Sequence, residues 1–269
     1  ITRVRIFKIS AHAVSRAAAA SRYIRNWPLL RLRSILFNLS LYVTAIVTGL
    51  VATPFLFGPR KGAVFVITHL SRFSLWLLKV TAGTRYEIRG EIPSGATLVA
   101  AKHQSMWDTI VLVAALNDPA IVLKSELLWI PYYGWFSKKA GMIAIDRGSG
   151  SSAIRRLIAQ GKAALAAARP IVIFPEGSRM TPDAAPDYKP GVAALYRQLG
   201  VACVPVAVNS GLYWPRRRFL RKPGTIVLEF LPAIPAGLDR TTFMATLETT
   251  IETATARLVA EGRRELGES

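Results

Sequence analysis

Short apolar runs alternate with longer amphipathic segments along the chain from about residue 85 onward. Short apolar runs bounded by turn residues are typical of buried strands, and apolar residues spaced three and four apart predict helices. The predicted strands are 86–89, 97–101, 121–123, 143–145, 171–174, 203–208 and 226–230. The predicted helices are 106–116, 151–168, 190–199 and 241–262. This alternation predicts an α/β fold with a mixed, mostly buried sheet flanked by helices.

Two long apolar segments precede this region. Residues 34–59 carry no charge and contain the apolar core 39–51, and 63–80 follows with few polar interruptions. A membrane-spanning helix needs about 20 apolar residues, so the first segment is long enough to enter a bilayer. Because basic residues flank it on both sides, we favour a helical hairpin with both ends at one membrane face, and a single spanning anchor stays open. The sequence thus divides into a basic segment (1–33), a membrane-associated helical segment (34–84) and an α/β domain (85–269).

The composition favours a membrane over nucleic acid as the partner. Hydrophobic residues make up 51% of the chain, and the mean hydropathy is +0.31. The formal net charge is +19, thirteen Lys or Arg precede the first acid, Glu87, and a second basic cluster lies at 216–222. Such charge suits anionic lipid, nucleic acid or anionic substrates. The basic segments flank apolar ones and contain no known nucleic-acid-binding signature, so we expect an anionic membrane surface and no nucleic acid.

Cys203 is the only cysteine of the chain. It cannot form an intrachain disulfide, which fits a reducing compartment. Its position in the apolar run 201–208 predicts a buried, inert thiol rather than a nucleophile.

His103 and Asp108 follow the predicted strand 97–101. A neutral imidazole held by a carboxylate is a general base that works near pH 7. On a straight helix, residues five apart are turned by about 140° and do not meet. The two side chains meet if His103 lies in the loop and Asp108 in the first helical turn, with Ser105 as the N-cap. Ser-x-x-Asp is also a capping box, so a purely structural role for Asp108 stays open.

Further polar residues follow predicted strands, where open α/β sheets place their functional sites. They are Lys124 after 121–123, Asp146 and Arg147 after 143–145, and Glu176, Gly177 and Arg179 after 171–174. An arginine near a helix N-terminus is suited to binding a phosphate group. Taken singly, each is also compatible with a solvent-exposed charge or an ordinary turn. The Gly-Ser loop after Arg147 lacks the lysine of a nucleotide P-loop, so ATP is not indicated.

Four motifs occur in order along the α/β region: His103-x4-Asp108, Ile145-Asp-Arg147, Phe174-Pro-Glu-Gly-Ser-Arg179 and Val204-Pro205. In order and spacing they are similar to the four blocks of glycerolipid acyltransferases. The chain resembles the bacterial 1-acylglycerol-3-phosphate acyltransferase family over residues 85–232, including the stretch 124–135. Ser178 replaces the threonine that is commonest there, and Tyr188-Lys-Pro-Gly191 departs slightly from the usual Phe-Lys-x-Gly.

The resemblance implies an enzyme of the bacterial cytoplasmic membrane with its active site facing the cytoplasm. It would transfer a fatty acyl group from acyl carrier protein or coenzyme A to the free hydroxyl of 1-acylglycerol-3-phosphate, giving phosphatidic acid. His103 would be the general base and Asp108 would orient it. The glycerophosphate would be held by Arg147, Glu176, Gly177 and Arg179, with Lys124 as a weaker candidate. No metal and no permanently bound cofactor are expected.

Three alternatives stay open. The nearest is the same acyl transfer to another lysolipid, such as lyso-ornithine lipid. A thioesterase, in which water replaces the alcohol, and a non-enzymatic protein that binds anionic lipid are more distant.

Overall fold

The computed structural model describes residues 27–146, 148 and 150–268. The helices are α1 (Trp27–Val51), α2 (Arg60–Leu77), α3 (Met106–Ala115), α4 (Tyr133–Lys139), α5 (Gly150–Ala166), α6 (Gly191–Leu199), α7 (Ser210–Tyr213) and α8 (Arg240–Leu266). The strands are β1 (Thr84–Arg89), β2 (Leu98–Ala101), β3 (Ala120–Lys124), β4 (Ile143–Ile145), β5 (Ile171–Ile173), β6 (Cys203–Val208) and β7 (Gly224–Phe230). Short 3-10 turns lie at Thr53–Leu56 and Ser125–Trp129, and a π turn at Leu78–Ala82 extends α2.

Within the described residues, the seven strands form one sheet in the order β1-β7-β6-β2-β5-β3-β4. All neighbouring pairs are parallel except β6 and β7, which are antiparallel. The strands β2 to β6 therefore run in one direction, and their carboxyl ends meet at a single edge of the sheet. The predicted α/β fold with a mixed, buried sheet is confirmed.

Side chains alternate between the two faces of the sheet, as the pleat requires. In β2, Val99 and Ala101 belong to the core under α1, α2 and α3, whereas Leu98 and Ala100 belong to the core under α5, α6 and α8. All four residues of β2 are completely buried. Helices thus cover both faces, which explains why the strands read as continuous apolar runs.

Helices α1 and α2 form a hairpin that packs on the sheet along one narrow face. The buried residues of α1 are Leu30, Ser34, Phe37, Leu41 and Gly49, whose spacing defines one side of the helix. The rest of α1 exposes large apolar side chains such as Leu39 (60%) and Ile46 (58%). An exposed apolar surface of this size marks a membrane or partner contact. Both α1 and the extended α2 are long and apolar enough to cross a membrane by length and composition, and the chain is membrane-associated.

The turn of this hairpin remains attached to the α/β domain. Arg60, the first residue of α2, pairs with Asp118 and also donates to the Ala140 carbonyl at 3.0 Å. Asp118 stands just before β3, at the amino edge of the sheet. At the other end of α2, Gly83 leads directly into β1. The hairpin therefore runs along the sheet from one edge to the other.

The predicted strands and helices are present, with ends displaced by at most four residues. Two helices, α4 and α7, were not predicted. In α4, Gly134 and aromatic residues lower the helix propensity, and a Cβ at Gly134 would lie 2.0 Å from the Leu128 carbonyl oxygen. The first helix begins at Trp27, earlier than the predicted start at 34, while residues 1–26 of the basic segment lie outside the described residues. The three-part domain division stays a prediction.

Candidate active site

His103 lies in the short loop between β2 and α3, and Asp108 lies in the first turn of α3. Ser105 is the N-cap, with an extended backbone and a hydroxyl that accepts a hydrogen bond from the Trp107 amide at 3.2 Å. Asp108 completes the capping box, because its Oδ2 accepts from the Ser105 amide at 2.8 Å. This capping hydrogen bond already holds the Asp108 side chain in position. The side chain is also completely buried.

The same carboxylate also holds the histidine. His103 Nδ1 lies 3.0 Å from Asp108 Oδ2. An ionised carboxylate only accepts hydrogen bonds, so the neutral imidazole carries its proton on Nδ1 and leaves the lone pair on Nε2. Nε2 makes no hydrogen bond to any residue that the structure describes. The His103 ring stacks on Phe174 with centroids 4.0 Å apart, and 12% of the side chain is exposed. Capping and histidine orientation are therefore two roles of one carboxylate.

Ser210 adds a further hydrogen bond to Asp108. The Ser210 hydroxyl donates to Asp108 Oδ1 at 2.5 Å, and the Gln104 amide donates to Oδ2 at 2.7 Å. Both Ser210 and Asp108 are completely buried. Ser210 was not predicted from the sequence, and it lies 102 residues from Asp108. Its signal in the sequence was a polar residue two positions after the buried strand that carries the Val204-Pro205 motif.

A buried ionic network supports the loop between β2 and α3, here called the histidine loop, through the His103 amide. Lys102 Nζ donates to Glu176 Oε1 and to Glu252 Oε1, both at 2.7 Å. Glu176 Oε2 accepts from the His103 amide at 3.2 Å, and the Tyr188 hydroxyl donates to Glu252 at 2.8 Å. Burial raises the pKa of Glu176, and the hydrogen bond from Lys102 opposes that rise. Lys102 and Glu252 were not predicted from the sequence, because a lone lysine at the end of a strand is typical of a surface charge.

The turn after β5 brings Glu176, Gly177 and Arg179 beside this loop. Gly177 has a φ of 66°, a left-handed conformation that favours glycine. Its amide donates to the Phe174 carbonyl at 2.9 Å, which closes the turn. The Met180 amide then donates to the His103 carbonyl at 2.8 Å. The backbone of this turn is thus tied directly to His103, and Arg179, half-buried, follows Gly177 by two residues.

Lys124 ends strand β3, and Arg147 follows strand β4 by two residues in the sequence. Lys124 is the exposed last residue of β3 and is in register with Ile145 of β4. It therefore stands at the same sheet edge as the carboxyl ends of β2 and β5. Arg147 lies outside the described residues. Among the described residues, no group of three or more His, Cys, Asp or Glu is suited to holding a metal ion.

The His103–Asp108 pair at the carboxyl edge of the α/β sheet forms a candidate active site, and comparisons with known proteins give the class of protein that carries it. A protein-family model described as Acyltransferase matches residues 83–209. The chain is 35% identical to the 1-acyl-sn-glycerol-3-phosphate acyltransferase of Pseudomonas aeruginosa over 236 residues, covering 86% of this chain and 91% of the relative. It is 33% identical to a lyso-ornithine lipid O-acyltransferase of the same organism over 186 residues, which covers 61% of this chain and 70% of that relative.

The fold agrees as well. The crystal structure of the 1-acyl-sn-glycerophosphate acyltransferase PlsC from Thermotoga maritima superposes with a TM-score of 0.70 at 20% identity. The match covers 88% of this chain and 97% of that one. The chain belongs to the 1-acyl-sn-glycerol-3-phosphate acyltransferase family. It is an enzyme that transfers acyl groups to oxygen, and the prediction of family and activity from the four motifs is confirmed.

Proposed function

We propose that this enzyme transfers a fatty acyl group from a thioester to the free hydroxyl of 1-acylglycerol-3-phosphate and so makes phosphatidic acid. The observation that carries the proposal is the 3.0 Å contact between His103 Nδ1 and the buried Asp108 carboxylate, which leaves Nε2 as the basic nitrogen. Support for the acceptor comes from the Pseudomonas aeruginosa relative, which is named for this reaction and matches 86% of the chain.

In the proposed mechanism, His103 Nε2 accepts the proton of the acceptor hydroxyl as that oxygen attacks the thioester carbonyl. The tetrahedral intermediate then expels the thiolate, which takes the same proton back from Nε2. Asp108 keeps the ring in the required tautomer and stabilises the transient imidazolium. Proton transfer of this kind contributes typically about 10²–10⁴-fold to a rate.

The transfer is direct, without an acyl-enzyme intermediate. Cys203 is completely buried in β6, and burial raises the pKa of its thiol, so the nucleophilic thiolate is disfavoured. Ser210 is equally buried, and its hydroxyl donates to Asp108 rather than to a histidine. A serine nucleophile at this site would need His103 as its base.

For the acceptor headgroup, we propose Arg147, Gly177 and Arg179 as phosphate-binding residues, with Lys124 as a weaker candidate. Arginine forks and backbone amides in a tight turn are suited to phosphate oxygens. Glu176 belongs to the same proposed site, and its contacts support a positioning role. Its carboxylate, which is completely buried, binds Lys102 and the His103 amide and so holds the turn against the histidine loop.

We propose that the hairpin of α1 and α2 seats the enzyme in the cytoplasmic leaflet of a bacterial inner membrane, with the active site facing the cytoplasm. The Arg60–Asp118 pair supports a re-entrant hairpin, because it keeps the hairpin turn at the α/β domain. A spanning hairpin would carry its turn about 30 Å across the hydrocarbon core. Facing the cytoplasm gives access to a soluble thioester donor, either acyl carrier protein or coenzyme A.

A second acceptor class has its own support. The lyso-ornithine lipid O-acyltransferase relative is 33% identical over 61% of the chain. The same His103 and Asp108 chemistry serves any lysolipid hydroxyl, so the headgroup-binding residues decide between the two acceptors.

The test is a transfer assay with purified enzyme in vesicles, a radiolabelled acyl thioester and a panel of lysolipids. We expect labelled phosphatidic acid with 1-acylglycerol-3-phosphate, and at least about 10²-fold less product with His103→Ala. Preferential labelling of lyso-ornithine lipid would replace the phosphate acceptor. Release of free fatty acid at the same rate with and without acceptor would indicate a thioesterase, and no turnover with any acceptor would indicate a lipid-binding protein.

A further inference from the structure

The loop from Trp214 to Lys222, here called the arginine loop, exposes three consecutive arginines. Arg216, Arg217 and Arg218 form no ion pair with any carboxylate of the described residues. Phe219 follows them and is 52% exposed. The acceptor site proposed above does not use these residues. Three arginines without an ion pair, beside an exposed aromatic ring, are suited to binding an anionic partner.

The arginine loop is held in shape by a buried arginine. Arg221 Nη1 donates to the carbonyls of Arg218, Phe219 and Leu220 at 2.7, 3.0 and 3.1 Å. Its guanidinium stacks over Trp214 at 4.7 Å from the ring centroid. Burial lowers the pKa of Arg221 to about 10, so it remains charged at neutral pH. With three carbonyls turned inward onto one cation, the loop backbone is ordered before any partner arrives.

The arginine loop is hydrogen-bonded to the apolar helix α1. The Arg221 amide donates to the Ser34 hydroxyl at 2.9 Å, and Arg221 Nη2 donates to Asn38 at 2.9 Å. On the same stretch of α1, Ile35 and Leu36 are 48% and 47% exposed. The loop is therefore fixed beside the surface through which α1 enters the membrane. Arginines and an aromatic ring at such a boundary are the side chains that lipid headgroups attract.

The loop also contacts the turn that carries the proposed phosphate-binding residues. Arg216 Nη1 donates to the Arg179 carbonyl at 2.7 Å. A lipid bound at the arginine loop therefore lies next to the region where the acceptor headgroup would enter. The loop joins the membrane helix to the active-site edge of the sheet.

We propose that Arg216, Arg217 and Arg218 form a docking surface for the anionic phospholipid headgroups of the bilayer that holds α1. This proposal rests on the membrane insertion of the α1–α2 hairpin proposed above, and it adds the residues that recognise headgroup charge. An acidic protein, such as a carrier of the acyl donor, is the competing partner. The bilayer is favoured because the loop is anchored on α1 and places Phe219 in the same surface.

The test compares binding of the full-length protein to vesicles of phosphatidylcholine alone and of phosphatidylcholine with about one-third phosphatidylglycerol. The variant is Arg216→Gln/Arg217→Gln/Arg218→Gln, and binding is measured by flotation without acyl donor or acceptor. We expect wild-type protein to prefer the anionic vesicles and the variant to lose about 10-fold or more of that preference, because each arginine near an anionic surface adds attraction. Binding to neutral vesicles should stay unchanged, since α1 is intact.

The matched control removes the same charge on the opposite side of the sheet. Arg155, Arg156 and Lys162 are exposed on α5, so Arg155→Gln/Arg156→Gln/Lys162→Gln should keep the anionic preference within about twofold. An unchanged preference in the arginine-loop variant would overturn the proposal. So would an equal loss in the control, which indicates net charge alone.

The competing partner is tested with an acyl-carrier-protein donor in neutral detergent micelles. We expect the arginine-loop variant to keep its KM for that donor. A variant that retains anionic vesicle binding but raises this KM would assign the surface to the carrier protein instead. Because vesicle binding needs no turnover, failure of the docking surface is distinguishable from failure of the proposed reaction.

Discussion

Replacing Asp108 with asparagine removes its charge while keeping the geometry of the site. Asp108 Oδ2 accepts from the Gln104 and Ser105 amides and from His103 Nδ1. Neither backbone amide can act as an acceptor, so the asparagine side-chain oxygen must occupy the Oδ2 position. Its NH₂ group then faces Ser210, whose hydroxyl turns to accept. His103 therefore keeps its tautomer in Asp108→Asn.

The expected loss is the electrostatic stabilisation of the imidazolium. The nearest atoms of His103 and Asp108 are 3.0 Å apart. With charge centres about 4 Å apart and an effective dielectric constant near 20, the interaction is about 4 kcal/mol. Since about 1.4 kcal/mol corresponds to a factor of ten, kcat/KM should fall by about 10³-fold. The melting temperature should change little, because every backbone amide keeps its acceptor.

The assay is radiolabelled acyl transfer alongside thermal unfolding in the same detergent. Asp108→Ala is the comparison, because it leaves the Gln104 and Ser105 amides without an acceptor. Unsatisfied buried donors cost about 1–3 kcal/mol each, so this variant should lose at least about 2 kcal/mol of stability. Asp108→Asn with activity within tenfold of wild type would refute the electrostatic role of the carboxylate. Equal destabilisation by both variants would refute the assigned amide orientation.

Three further variants test neighbouring residues. Ser210→Ala removes one charge-assisted hydrogen bond to the buried Asp108 carboxylate and should lower the free energy of unfolding by about 2 kcal/mol, with partial recovery in Ser210→Thr, as measured by thermal unfolding; a stability equal to wild type would show that Ser210 does not support Asp108. Arg179→Ala should raise the KM for a phosphate-bearing acceptor about tenfold, as judged by titrating acceptor and donor separately, and an unchanged acceptor KM would exclude it from the headgroup site. Cys203→Ser should leave transfer within about twofold, and the folded wild-type thiol should resist alkylation because burial raises its pKa; an acyl group trapped on Cys203 would contradict direct transfer.

The strands and the contact between His103 and Asp108 could be predicted because their signals in the sequence are local. The apolar run that became β2 is buried on both faces, so burial and sequence pattern coincide. Ser105, three residues before Asp108, already predicted the N-cap that brings the aspartate back toward His103. Both inferences use short spacings and known backbone geometry.

The long-range partners could not be predicted because no local signal in the sequence marks them. Glu252 reaches Lys102 from α8, 150 residues away, and Arg221 reaches Asn38 across 183 residues. Such contacts depend on strand order and helix placement, which no local period encodes. The antiparallel pairing of β6 with β7 likewise leaves no mark in either strand's own pattern.

The role of His103 is tested most directly by acyl transfer with the purified His103→Ala variant in vesicles. We expect a loss of at least about 10²-fold, because His103 Nε2 is the proposed acceptor of the hydroxyl proton. Vesicle binding should match the wild type and the variant should stay folded, since the Asp108 capping box does not need the imidazole. Transfer within tenfold of the wild-type rate by this folded, membrane-bound variant would contradict the account.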